Sequence, residues 1–455
     1  MRVLFGIALG VILITIFIVA YGKTKDLFAP ICFFAFYQFI RYVPVIIYNN
    51  EEAFFIVLTD KTLLPTFLFE TLFVFSVVFG YSLIKKKNHK NSSKTEIPRR
   101  SVSIPKIIDI PIQAVFIIFI LGFASRVYLI YKSGGLMYVL RNMGNAYMAL
   151  STNSNGYILA LGNLMTLALL MLIFKISFAK RKKRLIIILI AMIFLSMVSF
   201  LVYSARSPAL EILLVAIFGY HYLIRKIKVS FLFKPKVLFV AFLVLAIIVV
   251  LPLLRVMSSG NSSVDYKNLR LDLNIFNSIG VMLEELSTVK TDTFVYNYFN
   301  SSNYWHGANF LNLFTIAIPS SVYPNKPCID DGIYLCNLMS GYVVSPNAGR
   351  VGLAETYSWP FTTPGCMFAN FGIIGIIVGG IILGVIFRKA YKLLKRKCDP
   401  FVIFIYFLVI YQLEFSTLSI SQAIVPIVFC GVTYYFCVKY TGRIQYKFRI
   451  QHFSS

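Results

Sequence analysis

Charge is scarce in this chain: only 14% of its 455 residues are charged, against about a quarter in a typical soluble domain. A chain that is 58% hydrophobic, with a mean hydropathy of +0.77, has too little polar surface to cover a water-soluble globule. Acidic residues are scarcer still, 18 against 44 basic, so the formal net charge is +26. Four histidines and seven cysteines occur with no CxxC and no HxxxH, and the spacing gives no support to a zinc site. Tryptophan is nearly absent, the two present being Trp305 and Trp359. The first apolar run, Val3 to Tyr21, follows a single basic residue and lacks a convincing small-x-small cleavage site, so it reads as a retained helix rather than a cleaved leader.

What is present is long apolar runs. Crossing a core about 30 Å thick takes roughly 20 residues, and candidate spans fall at 3–21, 27–48, 63–84, 108–130, 157–174, 185–203, 208–223, 237–254, 364–387, 400–415 and 420–438. The expected fold is therefore an all-α polytopic membrane protein with about eleven transmembrane helices. Of the 44 basic residues, 31 sit in six short clusters between or beside these runs. That distribution argues against nucleic-acid binding and matches the positive-inside pattern, in which such clusters face the cytoplasm and touch anionic lipid. With every cluster inside, the number of spans between successive clusters is even from residue 85 onward, and the N-terminus lies outside.

The same rule puts the long segment of about 255–363 on the outer face, dividing the chain into spans 1–254, an outer loop 255–363, and spans with a basic tail at 364–455. The loop carries six basic and eight acidic residues and both tryptophans. A structureless connection of this length is unusual, and helices are expected at Asp272 to Val289 and, short and interfacial, at Phe310 to Ile318, stopped by Pro319. Cys328 and Cys336 both fall in this loop, where oxidation is permitted and a bridge or two free thiols are equally open to them. Gly375/Gly379 and Gly380/Gly384 have the GxxxG spacing that lets helix backbones approach closely.

Ionisable groups at the outer membrane face are costly to place and mark polar cavities. Arg206, in a tight turn with Glu211 just beyond, is one; Arg255, Arg270 and Arg350 are others, with Arg126 and Arg141 nearby. A guanidinium grips phosphate bidentately and stays charged at any physiological pH, so these groups suit a diphosphate at headgroup level; the competing role is snorkelling to lipid phosphate or pairing with a loop carboxylate. Lys326 is an auxiliary cation. Glu355 is a candidate general base toward a sugar hydroxyl, and His306 is the single outer histidine, able to exchange protons near neutrality. Trp305, Tyr323 and the other loop aromatics offer faces for sugar rings or for the membrane interface. The adjacent pairs Asp330-Asp331 and Glu284-Glu285 diverge on a helix or strand, and no essential metal or cofactor is expected.

Gly307-Ala308-Asn309-Phe310, Ile318-Pro319-Ser320-Ser321-Val322-Tyr323-Pro324-Asn325-Lys326-Pro327, Gly349-Arg350-Val351-Gly352-Leu353-Ala354-Glu355-Thr356-Tyr357 and Ala369-Asn370-Phe371-Gly372-Ile373-Ile374-Gly375, with the Ser204-Ala205-Arg206-Ser207-Pro208 turn, resemble the Wzy-type O-antigen polymerases. The resemblance covers roughly residues 126–387; Ser320 follows Ile318-Pro319 where an arginine is common in that family. It implies a GT-C-like glycosyltransferase of the bacterial inner membrane. Such an enzyme moves a growing glycan from undecaprenyl diphosphate to the non-reducing end of an incoming lipid-linked repeat unit at the periplasmic face, with a separate chain-length regulator as partner. On that reading Arg206, Arg255, Arg270 and Arg350 hold the diphosphate and Glu355 is the base. An O-antigen ligase, which shares carrier and outer loop, a lipid-linked oligosaccharide flippase and a regulatory subunit are the alternatives.

Overall fold

The computed structural model describes residues 2–47, 59–84, 106–141, 156–179, 182–202, 206–232, 234–235, 287–318 and 322–446. In order these form α1 (Arg2–Thr24), α2 (Pro30–Ile47), α3 (Asp60–Leu83), β1 (Lys106–Asp109), α4 (Ile112–Lys132), α5 (Leu136–Arg141), α6 (Gly156–Leu161), α7 (Asn163–Phe178), α8 (Lys182–Leu201), α9 (Arg206–Gly219) continued by a π turn at Tyr220–Ile224, and α10 (Val229–Leu232). After the gap come α11 (Val289–Tyr298), a 3-10 helix (Ala308–Thr315), α12 (Asp331–Met339), α13 (Thr363–Arg396), α14 (Pro400–Tyr411), α15 (Thr417–Thr441) and β2 (Arg443–Tyr446). Among the described residues, seven helical stretches are long and apolar enough to cross a membrane: 3–24, 61–83, 112–132, 156–178, 182–201, 363–396 and 417–441. The chain is thus a polytopic, helical membrane protein. The expected runs at 27–48, 208–223 and 400–415 correspond to α2, to α9 with its π turn, and to α14. The expected span 237–254 and nearly all of the expected helix at Asp272 to Val289 lie outside the described residues.

Sequence chemistry sets the ends of these helices. Thr59 caps α3 in a reciprocal box with Thr62, Asp399 caps α14 by accepting from the Val402 N–H with Pro400 at the first helical position, and Ser416 caps α15. The centre of the bundle is α7, where Leu164 through Ile173 are buried without interruption; a helix apolar on every face belongs in the middle of a bundle. On α1, α8 and α15, rows such as Ile7, Val11, Ile14 and Ile18 are exposed, as lipid-facing surfaces are. Glycine brings α3 and α13 together. A Cβ on Gly384 would lie 2.1 Å from the Val77 carbonyl oxygen, and one on Gly80 would lie 2.2 Å from that of Ile381, so the expected close approach is made at Gly380 and Gly384, while Gly375 and Gly379 pack instead against Met367 of their own helix.

That last contact arises because α13 is broken at Gly372, whose φ of 62° and ψ of −148° are open to glycine and strained for other residues. The carbonyls freed at the break are satisfied from the segment before it, where Trp305 N–H donates to Ala369 O and His306 N–H to Asn370 O, and Gly307 N–H adds a bond to the Asn370 side chain at Oδ1.

Sidedness is consistent from one element to the next. The expected cytoplasmic junctions meet: Asp26 after α1 accepts from His221 at the end of α9 and from Tyr391 near the end of α13, Lys175 Nζ at the end of α7 donates to Ile110 O before α4, and β1 pairs antiparallel with β2. The expected outer junctions also meet, through Arg41 with Glu414, Glu211 with Gln412, and Tyr157 with Ile316. The described part of the outer loop is not a cap lying over the bundle. Its α11 is wedged against α2, α3 and α13, burying Val289, Val295 and Tyr296, and the 3-10 helix at Ala308–Thr315 overlaps the expected short helix.

Candidate functional site

The described residues bury a row of polar side chains at the expected outer end of the bundle. α2 presents Gln38 and Arg41, three residues apart and so on one face; the link from α14 to α15 presents Gln412 and Glu414; α9 presents Glu211. Arg41 NH1 lies 2.5 Å from Glu414 Oε1, with side-chain exposures of 9% and 18%, and the Arg41 guanidinium also sits 5.4 Å from the Tyr37 ring centre. Gln412 Nε2 donates to Glu211 Oε2 at 2.9 Å, and Arg126 of α4, its guanidinium 4.2 Å from the Phe200 ring centre, attracts the Glu211 charge. Gly162 leaves the room Arg126 needs, since a Cβ there would fall 2.5 Å from its Nε.

This row keeps hydrogen-bond capacity that the described residues do not use. Gln38 Oε1, Gln412 Oε1, Glu211 Oε1, Glu414 Oε2 and Arg41 Nε are all buried and find no partner among the described residues. Buried polar groups are nearly always satisfied, and leaving each of these unmet costs about 1–3 kcal/mol. Four open acceptors call for a ligand, or water, that brings donors; hydroxyl groups fit, and a phosphate, which only accepts, does not.

Next along α2, Tyr42 donates to Asp292 Oδ2 at 2.7 Å and Thr362 donates to Asp292 Oδ1 at 2.6 Å, while Thr362 caps α13 by accepting from the Gly365 N–H. Tyr296 donates to Glu70 Oε1 at 2.7 Å. Burial raises the Asp292 carboxyl above its ordinary range, and the hydrogen bonds from Thr362 and Tyr42 only partly counter it. Asp292 thus ties α2, α11 and the start of α13 into one piece.

The sequence-predicted residues divide. Arg255 and Arg270 lie outside the described residues, as does the side chain of Arg206, whose backbone begins α9. Arg350 and Lys326 are brought together: the Arg350 N–H points to Lys326 O at 3.4 Å, Lys326 Nζ donates to Ile318 O at 2.8 Å, and burial together with the neighbouring Arg350 charge lowers the lysine's pKa. Glu355 is half-buried, its backbone pinned on both sides by Asn337. His306 is exposed in the left-handed region at φ 50°. Among the described residues no hydrogen bond or ion pair joins Glu355 or His306 to the Arg350 and Lys326 pair. Tyr323 is exposed and available to a ligand.

One expectation is corrected, and one alternative left open by the sequence is decided. Trp305 is not a sugar platform: it is buried against Phe299 and Phe361, with centroids 5.4 and 5.3 Å away, because its backbone caps the broken helix and draws the ring into the core. Cys328 and Cys336 are separate buried thiols rather than a bridge. The Cys328 N–H is held by Tyr334 Oη, while Cys336 is enclosed within α12.

No protein-family model, curated protein or solved structure matches the chain. The arrangement must therefore be read from its own residues. The groups passed over in the sequence are Gln38, Arg41, Glu70, Asp292, Gln412 and Glu414. Arg41 and Glu70 carried the signal that would have found them, a charge within an apolar run. Asp292 and the link residues carried none, since nothing in their neighbourhoods distinguishes them from ordinary loop polars.

Proposed function

We propose that this protein is a bacterial inner-membrane glycosyltransferase of GT-C-like architecture, with about eleven spans, that polymerises lipid-linked oligosaccharide repeat units at the periplasmic face. The observation that carries this reading is the row Gln38, Arg41, Glu211, Gln412 and Glu414, buried at the expected outer end of the helices with four acceptors that no described residue meets. Sugar hydroxyls supply the missing donors. The cations Arg350 and Lys326 lie side by side on the outer loop and suit the diphosphate of an undecaprenyl carrier, and Arg206, Arg255 and Arg270 are assigned to the same leaving group through the family resemblance. In the transfer, the acceptor hydroxyl attacks the anomeric carbon as a carboxylate takes its proton, and the bond to the diphosphate breaks with its charge stabilised by the cations. Glu355 and Glu211 are the carboxylates offered for that proton.

The test is the surface-glycan gel profile of a host lacking the gene, complemented with the wild-type chain, Arg206→Ala, Arg41→Ala or Glu211→Gln at matched membrane abundance. Core carrying a single repeat, without the long ladder, establishes polymerisation. Complete loss of attached repeats assigns a ligase or a flippase instead, and an unchanged ladder in the deletion strain removes the glycan reading.

A further inference from the structure

The expected cytoplasmic end of the bundle holds a cavity of about 140 Å³ whose lining includes Arg225, Lys226, Lys228, Ser230, Phe231 and Lys234. We infer that this cavity is a binding site for the headgroup of an anionic phospholipid, gripped by Arg225, Lys226, Lys228 and Lys234.

Four cations are gathered within ten residues of chain, and among the described residues none of them is ion-paired with a carboxylate. Their like charges sum to a local positive potential that draws an anion to the cavity. Arg225 offers a planar fork, the lysines offer point charges, and Ser230 offers a hydroxyl; together these match the oxygens of a phosphodiester. The cavity is also rigidly floored. The chain leaves the π turn in an extended conformation at Arg225, and the buried Ile227 donates its N–H to His221 Nδ1 at 3.0 Å. His221 Nε2 in turn bonds Asp26 at 3.0 Å, and Asp26 also holds Tyr391 and Lys395 of α13. The ring nitrogen that accepts from Ile227 cannot carry a proton, so the histidine donates to Asp26 through Nε2. That chain of bonds fixes the cationic segment to α1 and α13.

Apolar groups decide between a lipid and a soluble anion. Ile224 and Phe231 are 39% and 37% exposed beside the cations, and Lys234 Nζ lies 5.3 Å from the Phe231 ring centre. An anion carried on acyl chains covers both kinds of surface at once, as headgroup sites on the cytoplasmic side of membrane proteins do.

The experiment is native mass spectrometry of the full-length protein in detergent with phosphatidylglycerol, phosphatidylcholine or inorganic phosphate added. Phosphatidylglycerol adducts are expected to exceed phosphatidylcholine adducts, and each cation removed should weaken retention by about fivefold. Lys228→Gln and Lys234→Gln test this singly and Arg225→Gln/Lys226→Gln/Lys228→Gln/Lys234→Gln together, with thermal melting as the check on folding. Lys389→Gln/Arg396→Gln, which removes exposed cations of α13 outside the cavity, should leave retention unchanged. Equal retention of the two lipids, or an equal loss in the α13 variant, overturns the site. Displacement of phosphatidylglycerol by millimolar phosphate overturns the lipid assignment in favour of a soluble phosphate compound.

Discussion

Replacing Arg41 by alanine is the most informative single perturbation. The guanidinium is 9% exposed, lies 2.5 Å from Glu414, and lies over Tyr37. Its removal leaves a carboxylate with 18% exposure, one of whose oxygens already lacks a partner. Breaking a buried pair from one side costs about 3–5 kcal/mol, because the remaining charge stays desolvated without compensation, whereas removing both partners costs far less. Arg41→Ala and Glu414→Ala should therefore each lower the melting temperature strongly in detergent, and Arg41→Ala/Glu414→Ala should recover most of the loss. Denaturant titration of the four proteins closes the cycle and gives the coupling directly. If the two single effects add to within about 0.5 kcal/mol in the double variant, the pair contributes nothing as a pair and the reading of this row as a desolvated site fails. Where the double variant is stable, its glycan ladder should still be shortened, because Arg41 Nε and one open acceptor are gone.

Gly384→Ala should destabilise by about 1–3 kcal/mol, since the new Cβ meets the backbone of Val77 and Tyr81 at 2.1 and 2.6 Å; Gly22→Ala, with nothing within 4 Å, should not, and equal melting temperatures would refute the close packing of α3 on α13. Asp26 is fully buried; burial works to raise its carboxyl, but the His221 hydrogen bond, with the Lys395 charge and the Tyr391 hydrogen bond, holds it down to about 2 against 3.8 when unfolded. A depressed carboxylate stabilises the fold above its unfolded pKa, so about 2 kcal/mol should be present at neutral pH and be lost as the pH falls from about 4 to about 2. Asp26→Asn should remove both the stability and that pH dependence, measured by melting across the acid range.

The recognition that this is a membrane-embedded helical chain needed no coordinates. A run such as 3–21 has no alternative to crossing or lying in the bilayer, and backbone polar groups there must be satisfied within the helix. The even spacing of basic clusters likewise anticipated which junctions would meet, and Asp26 with His221, Lys175 with Ile110, and β1 with β2 share the expected cytoplasmic end. The glycine spacing in α13 announced a close approach at Gly380 and Gly384. The break at Gly372 was equally visible as a glycine after Asn370-Phe371, yet its neighbours are apolar on both sides and the hydrophobic run continues through it, so composition concealed the kink.

Other features depended on side chains brought together from distant parts of the chain. Arg41 and Glu414 are 373 residues apart, Tyr42 and Asp292 are 250 apart, and Glu211 and Gln412 are 201 apart; local pattern carries no information on such pairs. Trp305 looked like a ligand platform because an aromatic in a polar loop is exposed by default, and only the capping of Ala369 and Asn370 turned it inward. Hydropathy fixes which segments enter the membrane, since transfer free energy is a property of each segment taken alone. Which charges share a buried row, and which hydrogen bonds remain unmade, is fixed by packing, since those depend on the order in which the helices stand beside one another.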